Sequence, residues 1–278
     1  MTESFYNSYS EIPEHLRIDL LDLREISKQC TTDTLDLADP KYNLSGKYVL
    51  ESNRVIVFHK RLNSIKHIKN IDTLNFQFCT MLDSLFANFT ELESIEGLEN
   101  IDTSNVLSMN WTFSHCHSLE YLNLTNWNTS NVKHMCCTFN CCKSLEHIEG
   151  IENIDTSNVR WMTGLFFDCQ SLRVLNLSNW NTSNVEIMKN MFRDCEKLSL
   201  LMIDNWIINQ KVNMINMFLN CKSLQNIDLT NCNDYDKISG LIKNIITYGY
   251  DIKLIVSQNY TNCSEFIEHS YNIIISDL

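Results

Sequence analysis

The stretch NIDTSNV stands at Asn100–Val106 and returns unaltered at Asn153–Val159, and a shorter form, WNTSNV, stands at Trp127–Val132 and Trp180–Val185. A polar phrase copied this often is either a binding motif or a fixed part of a repeated unit. Its surroundings decide. Phe86, Phe113, Phe139, Phe166, Phe192 and Phe218 follow one another at steps of 26 or 27 residues. Three residues after each stands Cys116, Cys142, Cys169, Cys195 or Cys221, with Phe89 in the first copy. A leucine follows three further on, and Leu82 or a methionine (Met109, Met135, Met162, Met188, Met214) stands four before. A fixed period of this length is the signature of stacked structural repeats.

Residues 96–135 match residues 149–188 at 26 of 40 positions, so the duplicated element is a pair of units, a long IEGLENIDTSNV followed by a short LNLTNWNTSNV. SIKHIKNIDTLNF at Ser64–Phe76 reads as a degenerate earlier copy, followed by an insertion of three residues. That alignment sets Lys66 beside Glu96.

Each unit has a physical reading. Met, Phe and Cys at offsets −4, 0 and +3 share one face of a short helix. Leu-x-x-Leu-x-Leu, as in LEYLNL (Leu119–Leu124), alternates like a strand with one buried face. The copied phrase is then a turn, with Asn and Asp doing the work of glycine in a chain that has 6 Gly and 2 Pro. No unit buries its apolar face alone, whereas stacked units share a core. The expected fold is an α/β repeat solenoid over residues 62–232: a right-handed coil stack with a parallel β-sheet on one face and short helices on the other. Residues 1–61 read as a cap or small appendage made of a helix (Ile12–Cys30) and a hairpin (Tyr48–Lys60). Residues 233–278 read as an α/β cap, with a helix at Asp236–Thr247 and strands at Ile252–Ser257 and Asn272–Ser276.

The pattern NV..M...F..C.SL..LNLSNWNTSNV resembles the BspA-like leucine-rich repeats, in the form abundant among mycoplasma proteins of unknown function. The resemblance implies a leucine-rich-repeat fold. It also implies protein binding, since the members whose role is understood are surface antigens and adhesins. It brings no catalytic residues.

Composition narrows the function. With 34 acidic against 22 basic residues the formal net charge is −12, which disfavours nucleic acid and anionic lipid as partners. The opening MTESFYNSYSEIPEH has neither a basic nor an apolar region of the secretory kind, and no run of about 18 apolar residues follows. The expectation is an intracellular, cytoplasmic monomer without membrane insertion, whose 12 cysteines are reduced. The repeated cysteines read as small buried hydrophobes. SHCHS (Ser114–Ser118), His134 and CCTFNCC (Cys136–Cys142) gather potential zinc ligands, with His115 and Cys141 in one column. They lack the paired CxxC knuckles of a zinc site, so neither metal nor cofactor is expected. No glycine-rich phosphate loop, HExxH or GxSxG occurs, and the chain reads as non-catalytic.

Function is then sought where the copies differ. On the strand face Tyr121, Val174, Leu200 and Met202 put apolar groups where solvent-facing positions are otherwise polar. Glu93, Glu96, Glu120, Glu146 and Glu149 give the same face a negative field, which favours a basic protein partner. The expected role is protein–protein interaction, with Tyr121, Val174, Leu200, Met202, Glu96 and Glu149 as partner-binding residues. Two alternatives stand beside it. IPEHLRIDLLDL (Ile12–Leu23) reads as the start of an F-box-like segment, which would make the chain a substrate adaptor for ubiquitin ligation. By family analogy the chain is a surface adhesin or antigen.

Overall fold

The computed structural model describes residues 14, 17–19, 26–27, 29–44, 47–50, 64–203, 206–208, 210–229, 235–257 and 273–276. The described strands are β1 (Arg17–Asp19), β2 (Thr34–Asp36), β3 (Tyr48–Leu50), β4 (His67–Lys69), β5 (Ser94–Ile95), β6 (Tyr121–Asn123), β7 (His147–Glu149), β8 (Val174–Asn176), β9 (Leu200–Met202), β10 (Asn226–Leu229), β11 (Lys253–Ser257) and β12 (Ile273–Ser276). All their pairings are parallel, and the fold is α/β: Ile26, Ser27 and Gln29 are helical, within the helix expected at Ile12–Cys30, and the one described continuous α-helix is α1 (Tyr235–Tyr248). Ladders run β2-β4-β5, β6-β7 and β8-β9-β10-β11-β12, with β1-β3 apart.

The ladder breaks between β5 and β6 and again between β7 and β8. At both places a long unit precedes a short one. The long units carry a 3-10 turn, Leu98–Asn100 or Ile151–Asn153, entered through Gly97 or Gly150 at φ +84° or +81°. That extra turn changes the shape of the unit, so a short neighbour does not follow its strand in register.

The core is one continuous cluster from Leu35 to Leu254. The phenylalanine column runs through it as a stack, with neighbouring ring centroids 5.4, 5.7, 5.3, 5.7 and 5.8 Å apart from Phe86 to Phe218. Near-parallel rings at these separations gain contact energy beyond the area they bury. Trp127, Trp180 and Trp206 are buried beside the stack, and each indole N–H donates to a carbonyl of the preceding unit (Leu98, Ile151, Leu177) at 2.9–3.0 Å. The buried cysteines do likewise. Cys116, Cys142, Cys169, Cys195 and Cys221 point their thiols at the carbonyls of Phe86, Phe113, Phe139, Phe166 and Phe192, at 2.9–3.1 Å.

Among the described residues the helices expected opposite the strands do not form. Two residues before and two after each phenylalanine the backbone is left-handed, as at Trp111 and His115, Cys137 and Cys141, and Asn190 and Asp194. No α-helix accommodates that alternation. The amides that a helix would bond to its own previous turn point sideways: Trp111, Phe113 and His115 donate to the carbonyls of Cys136, Thr138 and Asn140 at 2.8–2.9 Å. Met, Phe and Cys still face inward, as their spacing requires, on a chain of lateral rungs instead of a helix. A second strip of parallel bridges, Met81–Ser108–His134–Trp161–Ile187–Asn213, crosses the units beside it.

The copied phrase ties neighbours together from both sides. Asp102, Asn128, Asp155 and Asn181 each close their own turn by accepting from the N–H two residues on, at 2.9–3.1 Å. Thr103, Thr129, Thr156 and Thr182 donate forward to a carbonyl of the next unit at 3.1–3.2 Å. Asn105, Asn131, Asn158 and Asn184 donate back to the unit before at 2.7–2.8 Å. The valine that ends the phrase is buried in each copy. The phrase is a fastening.

The early copy at Asn70 is out of frame. His67 pairs with Ser94 and Ile68 with Ile95, so the step is already 27 residues and no three-residue insertion exists. Buried side chains set this register: Ile71 and Leu74 fill the places of Leu98 and Ile101, and NIDT at Asn70 lies on the preceding 3-10 turn.

The ends differ from expectation in detail. Arg17–Asp19, inside the predicted N-terminal helix, is strand β1, and it pairs with Tyr48–Leu50, the described part of the predicted hairpin. The remainder of that hairpin and most of Ile12–Leu23 lie outside the described residues. At the other end β11 and β12 extend the sheet begun by β8, and α1 buries Ile238, Leu241, Ile242 and Ile245 along one face. Tyr250 closes the phenylalanine stack edge-on, 5.8 Å from Phe218 at 88°.

Candidate functional site

The strand face divides at the break between β7 and β8. On one side Tyr121 and His147 are register partners whose rings stack at 5.8 Å. The Tyr121 hydroxyl donates to the Glu149 carboxylate, and that bond pushes its pKa up to about 12. Tyr121, 46% exposed, is therefore held in place and stays a donor at neutral pH. Around it Glu96, Glu120, Glu146 and Glu149 are exposed, and among the described residues none has a cation within ion-pair distance. Glu93 differs. It pairs with Lys66 at 2.8 Å, which replaces the Lys66–Glu96 pair expected from the misplaced early copy.

On the other side Val174 and Leu200 are register partners, and Met202 lies two residues along β9 on the same face. Val174 is 51% exposed, and Leu200 and Met202 are half-buried. Ile255, half-buried, continues the row beyond Asp228. The structure thus brings Val174, Leu200 and Met202 into one patch and places Tyr121 and Glu149 in a separate polar cluster.

The turn side carries apolar groups that sequence reasoning passed over: Leu107, Trp111, Trp161 and Ile215 are each 40–42% exposed. The signal was available in the column five residues before each phenylalanine, where Trp161 replaces the polar Ser108 and Asn213. Trp161 has local partners, its ring tilted against His134 with centroids 4.5 Å apart and its indole N–H donating to Glu186 at 3.4 Å.

Burial pushes the thiols of Cys116 and Cys221 up to about 12 and those of Cys142, Cys169 and Cys195 well above the usual value. Cys137 and Cys141 are raised to about 11, again chiefly by burial. Such thiols are poor nucleophiles and poor metal ligands at neutral pH. His115 and His117 lie 5.7 Å apart, and the Cys141 thiol donates to the Asn140 side chain at 3.2 Å. Among the described residues no three His, Cys, Asp or Glu side chains gather to hold a metal ion, and no helix is long and apolar enough to cross a membrane.

No curated protein matches the chain. A family model matches it twice, over residues 56–149 and 138–254, overlapping matches that together take in every unit from β4 to β10. The chain belongs to the family described as "Mycoplasma protein of unknown function, DUF285".

Proposed function

We propose that this chain is a leucine-rich-repeat solenoid of the BspA-like kind and serves as a non-catalytic protein-interaction module. The period of 26 or 27 residues, the parallel register and the continuous core support the solenoid reading. The partner docks on the strand face over Val174, Leu200 and Met202. The observation that carries this reading is the patch itself: three neighbouring apolar side chains on β8 and β9, at least partly open to solvent, on a face whose other positions are mostly polar. Covering such a patch gains about 25 cal/mol for each Å² taken from water. Glu96, Glu120, Glu146 and Glu149 lie towards the other end of the face and speed the approach of a basic partner. Tyr121 and Glu149 form the polar rim.

A pull-down from the source cell tests this, comparing the native chain with Val174→Glu and with Leu200→Glu/Met202→Glu. The reading expects both variants to fold, by circular dichroism, and to lose at least about tenfold in capture. Undiminished capture by both would exclude this face.

A further inference from the structure

The lateral bonding of the second strip has an open end. In each unit the residue before the strip residue (Leu107, Lys133, Arg160, Glu186), or at Asn213 the strip residue itself, donates its N–H to a carbonyl of the unit before, and the residue two beyond that carbonyl's residue donates to the strip residue's carbonyl. Thus Asn213 donates to Glu186 at 3.0 Å while Met188 donates to Asn213 at 2.8 Å. The next pair in this series is the Val212 carbonyl and the Met214 N–H, and among the described residues neither has a partner. Where a further unit would lie stands α1. Asn244 of α1 donates to the Met214 carbonyl at 3.1 Å, a bond that in earlier units comes from a threonine, as from Thr112 to Leu82 and from Thr138 to Met109. Asn244 is 7% exposed, and its Oδ1 is without a partner.

Between the strip end and α1 lies a cleft of about 200 Å³, lined by Val212, Met214, Ile215, Lys243, Asn244 and Tyr248 among others. It offers a backbone acceptor, a backbone donor and a buried amide oxygen, the complement of a peptide backbone. Ile215 and Tyr248, 40% and 42% exposed, supply apolar walls, and among the described residues Lys243 is the one charged residue of the lining. We propose that the cleft, separate from the strand face, receives an extended segment of another protein bearing a carboxylate, as one more parallel rung beyond Asn213. The segment donates an N–H to Val212, accepts from Met214, satisfies Asn244 Oδ1 with a further N–H and sets its carboxylate against Lys243. This is strand addition at a free edge, in which backbone bonds give the affinity and side-chain contacts the selectivity.

The probe is the capped peptide NVEIMK, which copies Asn184–Lys189, a strip segment carrying one glutamate. Titrated into the full chain, it is expected to shift the amide signals of Met214, Ile215 and Tyr248. N-methylation of both its glutamate and its isoleucine, whose amides in the native copy share the Arg160 carbonyl, should abolish the shifts, and Lys243→Glu and Ile215→Arg should each weaken binding about tenfold. Both residues are exposed, so folding is not at stake. Absence of shifts, or binding indifferent to N-methylation and to Lys243→Glu, would overturn the proposal. So would a dimer in sedimentation velocity that Ile215→Arg dissolves, which would give the cleft to a second copy of the chain.

Discussion

Thr156 is buried and donates its hydroxyl to the Asn181 carbonyl of the next unit at 3.1 Å. Thr156→Val keeps the shape and leaves that carbonyl unsatisfied, so it should cost about 1–3 kcal/mol, read from the urea midpoint. Ser157 in the same phrase uses its backbone N–H to close the turn, and the residue is only half-buried. Ser157→Ala should leave the midpoint within about 0.5 kcal/mol. Glycine positions separate by what surrounds them. A Cβ on Gly150 would stand 2.6 Å from Thr125 Cα at φ +81°, while one on Gly249, at φ +63°, meets nothing within 4 Å. Gly150→Ala should cost more than about 2 kcal/mol and Gly249→Ala about 1. Burial, with Lys143 nearby, holds His115 and His117 below their ordinary pKa. Below pH 6.5 the unfolded chain therefore takes up protons before the folded one, and stability falls as pH drops. The urea midpoint should fall between about pH 7.5 and 5.5, and it should fall less in His115→Asn/His117→Gln. Asparagine suits the left-handed backbone at 115.

At the scale of elements, the phenylalanine stack and the cysteine ladder make each unit depend on the next. Phe166 is buried between Phe139 and Phe192, and Phe166→Ala should cost about 3–5 kcal/mol through lost burial and a cavity. The thiols of Cys116, Cys142, Cys169, Cys195 and Cys221 should resist alkylation in the native chain and react once urea unfolds it, as mass spectrometry would record. The strands were legible in the sequence because Leu122 and Leu124 alternate with outward residues, and period two has no helical equivalent. The turn layer was not. Met109, Phe113 and Cys116 sit at spacings that a helix also produces, and only the left-handed residues between them decide against it. Tryptophan, histidine, cysteine, serine, aspartate and asparagine share those places with a single glycine, Gly164, and so mixed a column does not announce a positive φ as a row of glycines would. The early copy misled for a related reason. Asn70–Thr73 repeats the letters of the phrase, whereas the fold reads the buried positions Ile68, Ile71 and Leu74.

At the scale of the whole molecule, one core continues through every unit although the strand ladder is interrupted twice. The interruptions divide the strand face into an acidic part around Tyr121 and Glu149 and an apolar part around Val174, Leu200 and Met202. The sequence located the residues of both, Tyr121, Val174, Leu200 and Met202 because they break the polar rule for an outward column and the glutamates because their charges cluster. It did not separate them, because the bond from Tyr121 to Glu149 and the break before β8 depend on register between units. The cleft beside α1 was hidden for the same reason: it exists only where a further unit is missing. The most direct test of protein binding through the strand face is hydrogen exchange of the full chain, alone and with the captured partner. Slower exchange across Val174–Met202 with Leu107, Trp111 and Trp161 unchanged is the predicted result. Protection confined to the turn side, with Val174–Met202 exchanging as in the free chain, would contradict it.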